Sequence, residues 1–341
     1  MKKFLQRVVL VAVAMATAQV AVAESWRINN DTSKGAHFVD INAAMASEQV
    51  KDGDVLYLDP GCVMTTVQTI TKAVTIIGTG WDFSNRPYAY AQISNTVSIQ
   101  SAAKIIGAYI TGGVEVWVRN IIIERCRIDG NINGSSGTPE NFQLLSSFIG
   151  GYVNGSKMKY ATISNNYIGH KSNYYSLLSL SNATVTNNFL IAKGRSVNTG
   201  TGYVLSSVKN SSFKNNIMIG NTTNLIEYSC SGNSLTNNCM SADATTGYAS
   251  SNVCMNTTDL SIPFVNNGAA GGAWMQLCEG SPAIGAGEGG IDCGPYAKGS
   301  LYPFVTYGMP KHIPYFTEAV VPAQPTDGKV KVSLKIVNQN D

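Results

Sequence analysis

Four stretches of the chain repeat one alternation of polar and apolar positions: TISNNYIGH from Thr162, TVTNNFLIA from Thr184, SFKNNIMIG from Ser212 and SLTNNCMSA from Ser234. In each, an apolar residue between two polar ones precedes a pair of asparagines, and a short, mostly apolar run follows. Aligned on the second asparagine, the copies fall at Asn166, Asn188, Asn216 and Asn238, in steps of 22, 28 and 22 residues. Three earlier segments fit the same frame with the asparagine replaced. They are KIIGAYITG on Ala108, IIERCRIDG on Cys126 and LLSSFIGG on Ser147, with steps of 18, 21 and 19 leading up to Asn166. A period of this length marks a repeat architecture.

Each copy reads as a short strand, a sharp corner at the asparagine pair, and a second short strand. Ile163, Val185 and Ile168 supply the β-branched character of strands. Asparagine tolerates the left-handed backbone conformation of a tight corner, and its side chain bonds locally. Helical patterns are nearly absent between copies, which disfavours βαβ units. Coils of strands and corners stacked on each other make a parallel β-helix, in which one coil alone cannot bury its inward face. A β-sandwich is the competing reading, but its strands usually recur every ~8–12 residues. In the solenoid, Asn166, Asn188, Asn216 and Asn238 form a structural ladder, bonding from coil to coil and satisfying backbone groups at the corner.

The flanks differ from the middle. In FVDINAAMASEQV, Phe38, Ile41, Met45 and Val50 recur at near-helical spacing, which predicts a short amphipathic cap helix before the first coils. At the far end SPAIGAGEGGIDCGPY is turn-rich, and prolines follow at 303, 310, 314, 322 and 325. The last run, KVKVSLKIV, puts Val330, Val332, Leu334 and Ile336 on one face and Lys329, Lys331, Ser333 and Lys335 on the other, the pattern of a half-buried antiparallel-type strand. The expected organisation is therefore a leader over 1–23, the β-helix over 24–300, and an extension with a proline-rich linker and a terminal strand over 301–341.

The leader changes the charge balance. Lys2, Lys3 and Arg7 precede an apolar stretch from Val8 to Val22 that closes on Ala21-Val22-Ala23, the layout of a secretory signal peptide cleaved after Ala23. Its apolar core is shorter than a membrane span usually needs. Glu24 follows where a lipid-anchored lipoprotein would have cysteine. A secreted, periplasmic or cell-surface location follows, with no transmembrane segment in the mature chain. The full chain has 24 Lys and Arg against 21 Asp and Glu. Without the leader's three cations the count is 21 against 21, so the formal +3 is no argument for a nucleic-acid partner. Charged residues are 13% of the chain, against about 25% usually. Seven cysteines at sparse, irregular spacing leave at least one unpaired within the chain. Cys278 with Cys293 is the first pair to test, and no C-x-x-C signals zinc or redox chemistry.

The cleaved leader, INAAMASEQVKDGDVLYLDPG, VTIIGTG, the Asn-Asn coils and the closing SPAIGAGEGGIDCGPY together resemble secreted right-handed parallel β-helix repeat proteins of the pectin-lyase-like superfamily. The chain also resembles uncharacterised Bacteroidetes surface proteins of this kind. The resemblance spans most of residues 36–300 and implies an all-β, right-handed parallel β-helix with asparagine ladders at one corner. It also implies, for many members, polysaccharide substrates.

Chemistry is sparse. Lyases on this fold set carboxylates around Ca²⁺ with a basic residue to take the C5 proton, and hydrolases need two or three aspartates. From Gly130 to Thr258 the acids are Glu140, Glu227 and Asp243, with no Asp-Asp pair. Asp52, Asp54 and Asp59 offer the alternatives of a Ca²⁺ site or two ordinary turns; no cofactor is assigned and no metal ligand is named. Glu124, Arg125, Arg127 and Asp129, with Glu115 and Arg119 one coil earlier, read as an ion-pair ladder or a uronate site. The candidate ligand-binding set is IGHKSNYYS: His170, Lys171, Tyr174 and Tyr175, with Lys193 and Arg195 at the comparable place one coil later. Aromatics flanked by cations can stack a sugar and pair with its carboxylate. The expected function is a non-catalytic carbohydrate-binding, structural or adhesive module. The alternative is a polysaccharide lyase-like enzyme acting on a uronate polymer, with His170 as base.

Overall fold

Three long parallel sheets carry the chain in a computed structural model that describes residues 23–81, 90–169, 174–192, 202–220, 225–241, 252–254, 277 and 279–296, together with the backbone of two strands at 315–320 and 333–337. Sheet 1 has ten strands, from Ser25–Ile28 through Thr162–Ser164 and Thr184–Thr186 to Ser234–Thr236. Sheet 2 also has ten, from Val63–Met64 to Val253–Cys254, and sheet 3 has seven, from Gln68–Ile70 to Tyr203–Ser206. The chain visits sheets 1, 2 and 3 in turn, and each strand pairs with its equivalent one repeat later. Thr162 pairs with Thr184, Thr184 with Ser212 and Ser212 with Ser234. All-parallel sheets visited cyclically are compatible with a β-helix solenoid.

Strands of two to four residues suffice because each places one or two apolar side chains inward. Ile163, Val185 and Phe213 stack along sheet 1, and Ile168, Leu190 and Met218 along sheet 2; all six are fully buried. Burial of such side chains is worth about 1.5–3 kcal/mol each. The corners are sharp because each middle strand of sheet 1 lies between two residues with left-handed backbone. Asn182 (φ 52) precedes Thr184–Thr186 and Asn187 (φ 56) follows it; Asn210 (φ 49) and Asn215 (φ 57) bracket Ser212–Lys214 in the same way.

The asparagine pair divides its labour. The first member, Asn165, Asn187, Asn215 or Asn237, takes the positive φ. The second, Asn166, Asn188, Asn216 or Asn238, is fully buried. Its side-chain oxygen accepts from the main-chain N–H of the previous ladder residue at 2.9 Å, from Asn166 to Asn188, Asn188 to Asn216 and Asn216 to Asn238. Its amide nitrogen donates to backbone carbonyls, as from Asn188 to Ile163 at 2.8 Å. Ser147 donates its N–H to Asn166 at 2.8 Å, Cys126 donates to Ser147 Oγ at 3.1 Å, and Asn238 donates to Asn252 at 2.9 Å. The column thus runs past Asn238 to a residue that repeat counting overlooks, because Asn252 follows after only 14 residues.

The expected helix is shorter than its apolar spacing implies. It spans Ile41–Ala46, capped by Asp40, whose side chain accepts from Ala43 N at 2.7 Å. Ser47 then takes the Gln49 N–H on its hydroxyl at 3.2 Å, a local turn that competes with another helical turn. Asn42 bonds along the outer edge of the first strand of sheet 3: it donates to Val67 O at 2.8 Å and accepts from Thr69 N at 2.8 Å.

The turn-rich segment near the end lies along the outer surface of sheet 2. Phe148, Tyr167, Phe189, Ile217 and Cys239 point out of the coil yet are buried, because Trp81, Ala283 and Cys293 pack over them. Gly294 N bonds Asn215 O at 2.9 Å, and Asn165 Nδ2 donates to Pro295 O at 3.0 Å. Cys293 carries a free thiol that donates to Asn237 O at 3.2 Å, whereas Cys278, its expected partner, lies outside the described residues. Burial pushes that thiol up to about 12. At the end of the chain Tyr315–Val320 pairs antiparallel with Ser333–Val337. No described helix is long and apolar enough to cross a membrane.

Candidate functional site

The residues singled out from sequence are only partly placed. His170, Lys171, Lys193 and Arg195 lie outside the described residues. Tyr174 is exposed, with its ring 6.2 Å from that of Tyr175, and Tyr175 opens a strand of sheet 3 in register with Tyr203. The structure therefore brings together two of the six, on the margin between sheets 2 and 3.

The three early aspartates diverge. Asp52 accepts from Ala73 N at 2.8 Å, Asp54 from Trp26 Nε1 at 2.9 Å, and Asp59 holds the Arg27 guanidinium. Among the described residues no three His, Cys, Asp or Glu side chains gather as a ligand set. The charges around IIERCRIDG are also spent separately. Glu124 meets Lys104 of the preceding coil at 2.8 Å, while Arg127 meets Asp129 of its own coil at 2.9 Å. Arg127 is further sandwiched between Tyr109 and Phe148, at 4.9 and 5.4 Å from the ring centres. Glu115 accepts from Asn133 rather than from a cation.

A different cluster stands open to solvent at the corner between sheets 3 and 1. One left-handed residue per coil turns the chain there: Asn120, Asn141, Tyr160, Asn182 and Asn210, with φ from 49 to 62. Each donates its N–H to the carbonyl of the following coil, as Asn141 does to Lys159 O at 3.0 Å. Four of the five are asparagine, which accepts this conformation readily. Tyr160 does not, because a bulky side chain at positive φ is an outlier costing on the order of 1–2 kcal/mol. Its side chain is 59% exposed, so core packing does not compensate the strain.

The neighbours of Tyr160 are polar and outward. Asn141 donates to Asn120 Oδ1 at 3.2 Å. The preceding column runs Glu140, Lys159, Ser181, Lys209 and Ser231, joined by single parallel bridges. Arg119 reaches Glu140 at 4.0 Å, whereas Lys159 and Lys209 are exposed and make no ion pair among the described residues. Two coils before Tyr160, Trp117 is 39% exposed. Thr138 N bonds Trp117 O at 2.9 Å, and Gly137 (φ 67) is required there, since a Cβ would sit 2.0 Å from that oxygen. Beyond the corner Thr184, Ser212 and Ser234 line the outer surface of sheet 1 in register. Two aromatic rings, paired amides, hydroxyls and two cations thus border one open edge.

The edge carries no catalytic or metal-binding motif, and its signal in the sequence is positional. The left-handed corner residue lies six positions before the ladder residue in six successive coils: 126 − 120, 147 − 141, 166 − 160, 188 − 182, 216 − 210 and, at Gly232 (φ 67), 238 − 232. Down that column stand asparagine or glycine, and Tyr160 is the one bulky residue. Comparison of the chain with family models, with curated proteins and with solved structures gives no match.

Proposed function

We propose that this is an exported right-handed parallel β-helix of the pectin-lyase-like kind, released by cleavage after Ala23 and covered at its N-terminal end by the Ile41–Ala46 helix, which binds a carbohydrate polymer without processing it. The observation that carries the binding reading is Tyr160: a strained, exposed aromatic at a corner whose left-handed backbone asparagine accepts more readily. Backbone strain held at one position of a repeat points to a function at that position. Aromatic rings stack on the apolar faces of sugars, and amides and hydroxyls bond the rims. Trp117, Asn120, Asn141, Lys159 and Tyr160 provide that set along the axis of the solenoid, the direction a polymer would follow.

Retention on a panel of immobilised polysaccharides, measured for the wild type and for Trp117→Ala and Tyr160→Ala, tests this reading. The expected result is retention on at least one polymer, weakened in both variants. No retention on any polymer overturns the binding role. Absorbance of unsaturated uronate products, formed by the wild type and lost in His170→Ala, overturns the non-processing role in favour of a lyase.

A further inference from the structure

Asp54 sits at the start of the second strand of sheet 1 and is 2% exposed. Its carboxylate collects three N–H donors: Lys51 N at 2.9 Å, Trp26 Nε1 at 2.9 Å and Glu24 N at 2.8 Å. Among the described residues no lysine, arginine or histidine side chain forms an ion pair with it. Buried carboxylates are seldom left without a counter-ion. Burial pushes the Asp54 carboxyl up, and the donors at Lys51, Trp26 and Glu24, helped by the nearby but unbonded Lys51 charge, outweigh it, so the group stays below the ordinary carboxylate range. Meanwhile Ala23, Glu24 and Ser25 are exposed, so the Ala23–Glu24 bond is accessible.

We propose that hydrolysis of the Ala23–Glu24 peptide bond creates a directly bonded counter-ion: the new α-ammonium of Glu24 forms a charge-assisted bond to Asp54 and locks the first strand of sheet 1. Water adds its hydroxyl to the Ala23 carbonyl, the C–N bond breaks, and the freed amine leaves with a proton and takes up a second from solvent. The nitrogen already 2.8 Å from Asp54 Oδ1 becomes a cation at the same place. Maturation then stabilises the fold rather than merely removing a leader. The inference rests on the processing expected from the Ala21-Val22-Ala23 signal, and it is independent of the carbohydrate reading.

The pH window follows from both partners. An α-amine with a raised folded pKa contributes below its unfolded value of ~7.7–8.0, and the contribution is lost as pH rises through the folded value. A depressed carboxyl contributes above ~3.9 and is lost as pH falls through its folded value. The lock is therefore full between about pH 5 and 7.

The test compares the chain beginning at Glu24 with the same chain carrying one extra glycine before it, and with the Glu24 chain acetylated at its amine. At pH 6 the free-amine chain is expected to melt higher than both, by roughly 2–4 °C. The gap should close above pH 9 and in Asp54→Asn. Equal melting of the three chains at pH 6 would overturn the proposal, even if Asp54→Asn does not fold. So would a gap that persists above pH 9, or an exported protein whose N-terminal mass places cleavage elsewhere than before Glu24.

Discussion

Two left-handed corners bracket sheet 1, built from the same backbone conformation and largely from the same residue, and they meet opposite fates. On the sheet 2 side, Asn165, Asn187, Asn215 and Asn237 are covered or half-covered, and the segment around Cys293 and Gly294 bonds to their side chains and carbonyls. On the sheet 3 side, Asn120, Asn141, Tyr160, Asn182 and Asn210 are exposed. What separates them is the neighbouring column. Beyond the first corner the outward positions are Phe148, Tyr167, Phe189 and Ile217, which demand cover. Beside the second they are Glu140, Lys159, Ser181 and Lys209, which do not. A repeat that fixes the backbone of every coil leaves the outward columns free to specialise, one as an internal interface and one as an open edge.

Variants can break this contrast, and their effects should fall in a definite order. Phe189→Ala removes a ring buried under the covering segment, and should destabilise by about 3–5 kcal/mol in denaturant unfolding. Asn188→Leu leaves the N–H of Asn166 and the carbonyls of Ile163 and Thr186 without their partner. It should cost about 1–3 kcal/mol, and an unchanged melting temperature would count against the ladder. Tyr160→Asn restores the asparagine of its column, and should raise stability by up to about 1 kcal/mol while weakening polysaccharide retention. Lys214→Ala breaks the 2.9 Å pair with Glu288 of the covering segment, and since both side chains face solvent it should cost about 0.5 kcal/mol or less.

Much of the scaffold is legible in the sequence because the period is physical. Coils must place equivalent residues in register, so Ala108, Cys126, Ser147 and the four asparagines fall in one column despite their different chemistry. The covering segment is not legible in the same way, since it depends on contacts between residues more than 50 positions apart, such as Cys293 with Asn237. A clue was nonetheless present in Phe148, Tyr167 and Phe189, which alternation assigns to the outer face of a charge-poor chain. Half of the expected ion-pair ladder crosses between coils and half closes within one, because Asp129 stands two residues from Arg127 and meets it first. The open corner has no cluster of carboxylates or histidines to mark it in the sequence. Its signal is a backbone one, a tyrosine where its equivalents are asparagine or glycine.

A tyrosine kept at position 160 for a ligand should cost stability and supply affinity. The direct measurement is the melting temperature and polysaccharide affinity of Tyr160→Asn on one preparation, beside the wild type. The expected result is equal or higher melting with affinity at least about tenfold weaker, a loss of ~1.4 kcal/mol in binding. Unchanged affinity, or a lowered melting temperature, would show that the tyrosine serves the scaffold and would contradict a ligand role.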